Sequence, residues 1–184
     1  KEHKMFKQKT SDNSYKGSKN EPNNSMQLAQ AAHQRYLLHS SSEDLTTAIN
    51  YYIEALKNNP DTPSAYFRLA SLLHDNGQIG IESAIEQCRK AVEIDSKNPN
   101  AHMYLGYFLS LKGEFEEAKE QFKTAIKLNP LKSSRTRLVL ALTLLEKGRA
   151  NKNTLADFSS ALYYIFSGSF LFFFDKASVK MFFK

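Results

Sequence analysis

The sequence lacks tryptophan, has a single cysteine (Cys88), and spreads seven glycines and five prolines over 184 residues. One cysteine excludes an internal disulfide and fits a reducing compartment, cytoplasmic or organelle interior. The glycines never cluster into a loop that cradles a phosphate or a dinucleotide, and no nucleophile-elbow sequence occurs. No enzyme activity and no cofactor are therefore expected. His3, His33, His39, His74 and His102 include no i, i+4 pair and have no cysteine close by. They read as helix-surface or groove residues, and no metal site is expected. Cys88 is expected at an interhelical position, where a thiol acts as a small hydrophobe.

Acidic residues are in deficit, and the net charge is +6. The excess is confined to the ends: residues 1–20 carry +4 and residues 149–184 carry +3, which leaves 21–148 at −1. Lysines scattered through a polar lead-in describe a solvated arm better than a nucleic-acid reader. The first residue is Lys1 rather than Met, so a fragment or a processed product is expected. Residues 1–24 have few apolar positions and no period, and are read as a flexible basic lead-in.

What is present is periodicity. From Ser25 onward apolar residues recur at helical spacing, broken by "NNPDTP" (58–63), "SKNPN" (96–100) and "NPLKSS" (129–134). Within 101–130 one helix is expected from about Ala101 to Lys112, a turn at Gly113, and a second helix from about Phe115 to the stop at Pro130. Small residues at 106, 118 and 125 would let the two helices approach closely. Ala118, Phe122 and Ala125 are matched by Ala84, Cys88 and Ala91, and again by Ala48, Tyr52 and Ala55. Leu105, Gly106 and Leu109 are matched by Leu69, Ala70 and Leu73, and by Leu140, Ala141 and Leu144. Gly77, Gly113 and Gly148 are expected to close equivalent turns. Ser40 and Glu43 have capping-box spacing at the start of another helix.

Leu105-Gly106, Leu109, Gly113, Ala118, Phe122, Ala125 and Pro130 resemble the tetratricopeptide-repeat pattern, with His102 where that pattern often has Trp. The resemblance covers 25–148, as three repeats and the first helix of a fourth. It implies an all-α fold, a right-handed superhelix of helix-turn-helix repeats with a concave groove lined by the first helices. It also implies a protein–protein interaction scaffold or assembly factor that holds a partner peptide or helix in that groove. Carrying the family's groove positions over gives Phe67, Arg68, Ser71, His74 and Asp75 from the second repeat. The third gives Met103, Tyr107, Ser110 and Leu111, and the first gives Ala29, His33 and Tyr36. Family members that clamp the carboxylate end of a chaperone tail use Lys and Asn here. Ala29, Phe67 and Met103 stand at the Lys position, and His33, Ser71 and Tyr107 at the Asn position. With Arg68 the only cation, that mode is disfavoured, and a partner with apolar anchors suits the groove better.

Residues 149–184 form an uncertain, aromatic-rich tail. "ALYYIFSGSFLFFF" (161–174) has three open readings: a second helix of the fourth repeat with a capping segment, a membrane anchor, or a non-native extension. In the first, Thr154, Phe158 and Ala161 keep the small-aromatic-small spacing. The second gives an alternative function, a membrane-tethered repeat adaptor. A further alternative is an RNA-associated protein acting through the basic lead-in.

Overall fold

The turns between hairpins are fixed by a recurring amide or carboxylate. Asn59, Asp95 and Asn129 each follow the last residue of a helix, and each accepts a backbone N–H two or three residues on: Asp61 at 3.1 Å, Lys97 at 3.0 Å and Lys132 at 3.2 Å. Such side chains close a turn without a backbone partner and end the helix behind them. Asn98 then caps the next helix, its Oδ1 accepting the N–H groups of Asn100 (3.1 Å) and Ala101 (3.3 Å), with Pro99 in the first helical turn.

The computed structural model describes residues 24–151 and 154–166. Among them lie eight helices and no strand: α1 (Asn24–His39), α2 (Ser42–Asn58), α3 (Pro63–Asp75), α4 (Ile81–Ile94), α5 (Pro99–Lys112), α6 (Phe115–Leu128), α7 (Ser134–Asn151) and α8 (Thr154–Phe166). They pair as α1/α2, α3/α4, α5/α6 and α7/α8. Each second helix also packs on the next first helix, and α3, α5 and α7 touch in sequence along one side. The result is a right-handed superhelix with the first helices on its concave face. The basic lead-in up to residue 23 and residues 167–184 of the tail lie outside the described residues. Among the described residues no helix is long and apolar enough to cross a membrane.

The core runs between the helices rather than around a centre. Ala29 to Leu72 form one buried group and Tyr66 to Ala161 another, with Leu56 packed against both. Small residues set the approach inside a hairpin. A Cβ on Gly106 would lie 3.0 Å from two ring carbons of Phe122 and 3.1 Å from the Ala118 carbonyl oxygen, so any larger residue would push the ring and α6 outward by a few tenths of an ångström. One repeat earlier the same two positions hold Ala70 and Cys88, both buried. A larger residue on one helix is matched by a smaller one on its partner.

Two local expectations are corrected. Gly77 and Gly113 do adopt left-handed backbones (φ 69° and 89°) in their turns, but Gly148 does not close one. It is buried inside α7, which continues to Asn151. Arg149 and Ala150 are strong helix formers, and Arg149 pairs with Glu146 one turn back at 3.1 Å, which carries the helix through the glycine. The cap of α2 is Ser41, whose Oγ accepts the Asp44 N–H at 3.4 Å, rather than Ser40 with Glu43. Ser40 has a left-handed backbone (φ 53°) and gives its N–H to the Tyr36 carbonyl at 2.7 Å, closing α1. It therefore lacks the extended backbone that a capping residue needs.

Ion pairs stitch the exterior. Arg35 meets Asp44 at 2.7 Å across the first hairpin, and Arg89 of α4 meets Glu117 of α6 at 2.8 Å. Lys147 of α7 reaches Glu116 of α6 at 2.6 Å and Asp157 of α8 at 3.6 Å. The hydrogen bond from Lys147 lowers the Glu116 pKa. The exposed pair between Arg89 and Glu117 contributes about 0.2–1 kcal/mol and mainly fixes register.

Candidate functional site: the concave groove

The groove is built by one face of each first helix. Residues 68, 71 and 75 follow one another along a face of α3, and 103, 104 and 107 along a face of α5. Ser71, Asp75, Met103, Tyr104 and Tyr107 line a cavity of about 160 Å³, closed on the far side by Arg135 and Val139 of α7. That volume suits one aromatic or long aliphatic side chain.

The polar groups around it are only partly satisfied. The Ser71 hydroxyl donates to Asp75 at 3.3 Å, and Asp75 lies 3.6 Å from His74 Nδ1, too far for a hydrogen bond. His74 Nδ1 and Arg68 Nε are both buried without a hydrogen-bond partner. Arg35, Arg89 and Arg149 each sit on a carboxylate, whereas Arg68 and Arg135 form no ion pair among the described residues. Both act on His33, which is buried on α1 with its Nδ1 3.3 Å from the Tyr52 hydroxyl. Burial first, then Arg68, holds the His33 pKa below its ordinary value; Arg135 adds to this, and Asp75 opposes it. Burial pushes the Tyr52 phenol up to about 12 and raises Tyr107 as well, helped there by Asp75.

Ser71, Met103 and Tyr107, carried over from the repeat pattern, come together in this cavity. Arg68 lies on the same face of α3, its guanidinium carbon 5.9 Å from the centroid of the Phe67 ring. Phe67 itself is 1% exposed: its ring stacks on Tyr104 with centroids 4.8 Å apart, so the surface it would offer a partner is already covered. His74 packs edge-on against Phe108 at 5.2 Å. The Ser110 hydroxyl is spent on the Tyr107 carbonyl at 2.8 Å, and Leu111 stands exposed; neither lines the cavity. Three lining residues were missed in the sequence: Tyr104, Arg135 and Val139. The first and last had a signal, because the repeat offset carries Arg68 onto Tyr104 and then onto Val139. Arg135, in the first turn of α7, had none. It also corrects the premise that Arg68 is the only groove cation.

The remaining candidates for chemistry have structural occupations. His102 uses both ring nitrogens, on Gln121 at 2.8 Å and on the Ser96 carbonyl at 2.9 Å. Cys88 is fully buried, and burial pushes its thiol up to about 12, far from a reactive thiolate. Among the described residues no group of three His, Cys, Asp or Glu could hold a metal ion.

Hairpins stacked so that their first helices line a concave, partly unsatisfied groove define a helical-repeat protein of the binding-scaffold class. The chain belongs to the tetratricopeptide-repeat family: models of the tetratricopeptide repeat match residues 37–99 and 99–132, together just over half of it. Over 90 residues it is 31% identical to small glutamine-rich tetratricopeptide repeat-containing protein 2 of Mycosarcoma maydis, covering 49% of this chain and 25% of that protein. The chain thus spans about a quarter of that relative. Among solved structures it is similar in fold to MamA (TM-score 0.57, 21% identity, 80% of this chain and 72% of that one). It is also similar to the first TPR of Spaghetti (RPAP3) bound to an HSP90 peptide (TM-score 0.53, 18% identity, 67% and 97%).

Proposed function

We propose that this protein is a scaffold that holds a peptide segment of a partner protein in its concave groove, and that it carries out no chemistry of its own. The observation that carries the reading is the cavity between α3, α5 and α7, with Arg135 on its wall and Arg68 on the same side, neither paired with a carboxylate among the described residues. A peptide that puts an apolar side chain into the cavity and a carboxylate beside it would satisfy both kinds of surface at once. Charged partners are favoured here because Arg68, half-buried, gains more from an anion than an exposed guanidinium does, while the exposed Arg135 adds attraction of the same sign. The rigid helices present these groups preorganised, so the flexible partner alone bears the ordering cost.

The Lys and Asn residues that clamp chaperone tails in other family members are absent. An acidic chaperone tail would have to engage Arg68 and Arg135 instead, and it belongs among the peptides tested. The full chain, immobilised, is exposed to cell extract beside Tyr107→Glu and Arg135→Glu variants with unchanged far-UV circular dichroism. A partner lost by both variants is then tiled as peptides. Binding by peptides with an Asp or Glu within a few residues of an apolar anchor supports the reading. Equal retention by both variants, or binding that ignores the acidic residue, overturns it.

A further inference from the structure

Two charges of opposite sign stand on the walls of the groove cavity without meeting. Asp75 of α3 and Arg135 of α7 both line it, yet no ion pair joins them. Among the described residues Asp75 meets only the Ser71 hydroxyl at 3.3 Å and His74 at 3.6 Å, whereas Asp44, Glu117 and Asp157 each hold an arginine or a lysine. Each charge also stands at the end of its own helix that disfavours it. Asp75 is the last residue of α3, where the macrodipole is negative, and Arg135 is in the first turn of α7, where it is positive. Charges placed to stabilise these helices would be the reverse. Tyr104 and Tyr107 of α5 line the same cavity and supply the aromatic surroundings that favour a cation. Tyr107 registers the carboxylate: burial first, then Asp75, raises its phenol pKa.

We propose that Asp75 and Arg135 select the ligand of the groove by a pair of charges: a peptide that offers a lysine or arginine to Asp75 and an aspartate or glutamate to Arg135, with its apolar side chain seated between them. This selection rests on the peptide reading above and adds a cation to it, which makes Asp75 the specificity-determining residue. A run of acidic residues sets a carboxylate against Asp75, and a run of basic residues sets a cation against Arg135, so one wall rejects each. A segment that carries both signs satisfies both walls. Because the two charges are held apart on separate helices, the acid and the base must keep a fixed spacing along the peptide, so charge also sets its register.

The test is a selection of random peptides of about twelve residues, displayed on phage, against the immobilised full chain, with the selected sequences then measured as synthetic peptides by fluorescence anisotropy. They should converge on an apolar anchor with one acidic and one basic residue at constant offsets. Replacing the basic residue of the peptide by serine should weaken binding to the wild type by about three- to tenfold, the size expected of a half-exposed ion pair beside an aromatic ring. The same replacement should cost almost nothing against Asp75→Asn, which keeps the side chain's size and its acceptor for Ser71. That variant should bind the serine peptide as the wild type does, which shows an intact groove. Asp75→Lys should reverse the preference, so that a peptide with glutamate in place of the base binds better than its parent. Selected peptides with an anchor and an acid but no base, or a base whose loss costs the same in wild type and Asp75→Asn, would overturn the charge-pair selection and leave the peptide reading standing. No convergence, or peptides whose acid is insensitive to Arg135→Gln, would overturn both.

Discussion

Gly106→Ala offers the sharpest test of how the hairpins are packed. The new methyl would sit 3.0 Å from Phe122 ring carbons and 3.1 Å from a backbone oxygen. Phe122 is fully buried, so its ring gives way only by displacing its neighbours, and the oxygen moves only with α6. Overpacking of this kind costs about 1–3 kcal/mol. Alanine recovers about 1 kcal/mol of helix propensity over glycine, so the net loss should be about 0–2 kcal/mol. Phe122→Cys, which copies the second repeat, should by itself cost about 3 kcal/mol through the vacated volume. In that background the methyl has room, and Gly106→Ala should stabilise the chain by about 1 kcal/mol, recreating the Ala70–Cys88 pair. Urea titrations of the four proteins, followed at 222 nm and compared at a constant m-value, measure all three steps. A Gly106→Ala substitution that changes stability by the same amount in both backgrounds, or stabilises both, would refute the packing argument.

His33 has a native pKa below its ordinary 6.5, so the unfolded chain binds the proton first. Its contribution to stability is complete above about pH 6.5 and is lost as the pH falls through the native value; His33→Gln should flatten that part of a stability–pH curve. An acidic peptide seated by Arg68 should shift the His33 ring resonances toward higher pKa in an NMR titration. Ser40→Gly relieves a left-handed backbone worth about 1–2 kcal/mol and loses part of that to chain entropy, so a gain of about 0.5 kcal/mol in the urea midpoint analysis is expected. Native Cys88 should resist a thiol reagent at pH 8 and react only as fast as its hairpin opens; immediate labelling would contradict its burial.

The hairpins were legible because their signals are local. Asn59, Asp95 and Asn129 end helices, Gly77 and Gly113 turn them, and Ala118, Phe122 and Ala125 repeat a packing rule within one unit. Ser40 and Gly148 misled because each has two uses that the sequence cannot separate: serine caps or closes, and glycine turns or packs. The groove was harder for a different reason. Whether Phe67 faces a partner or the next repeat depends on Tyr104, thirty-seven residues on, and its ring lost that contest to burial. Arg135 comes from a helix whose own repeat pattern gives it no role.

The matched pairs also bear on how such an array could be rearranged by recombination. Gly106 accepts Phe122, and Ala70 sits opposite Cys88, so these two hairpins, α3/α4 and α5/α6, are each keyed to themselves. An exchange that cuts between two hairpins keeps every key with its lock. An exchange inside a hairpin's own turn would set alanine against phenylalanine in one product and leave a hole between glycine and cysteine in the other. These two hairpins can therefore be duplicated or deleted whole, whereas their halves cannot be exchanged with each other without a second, compensating change.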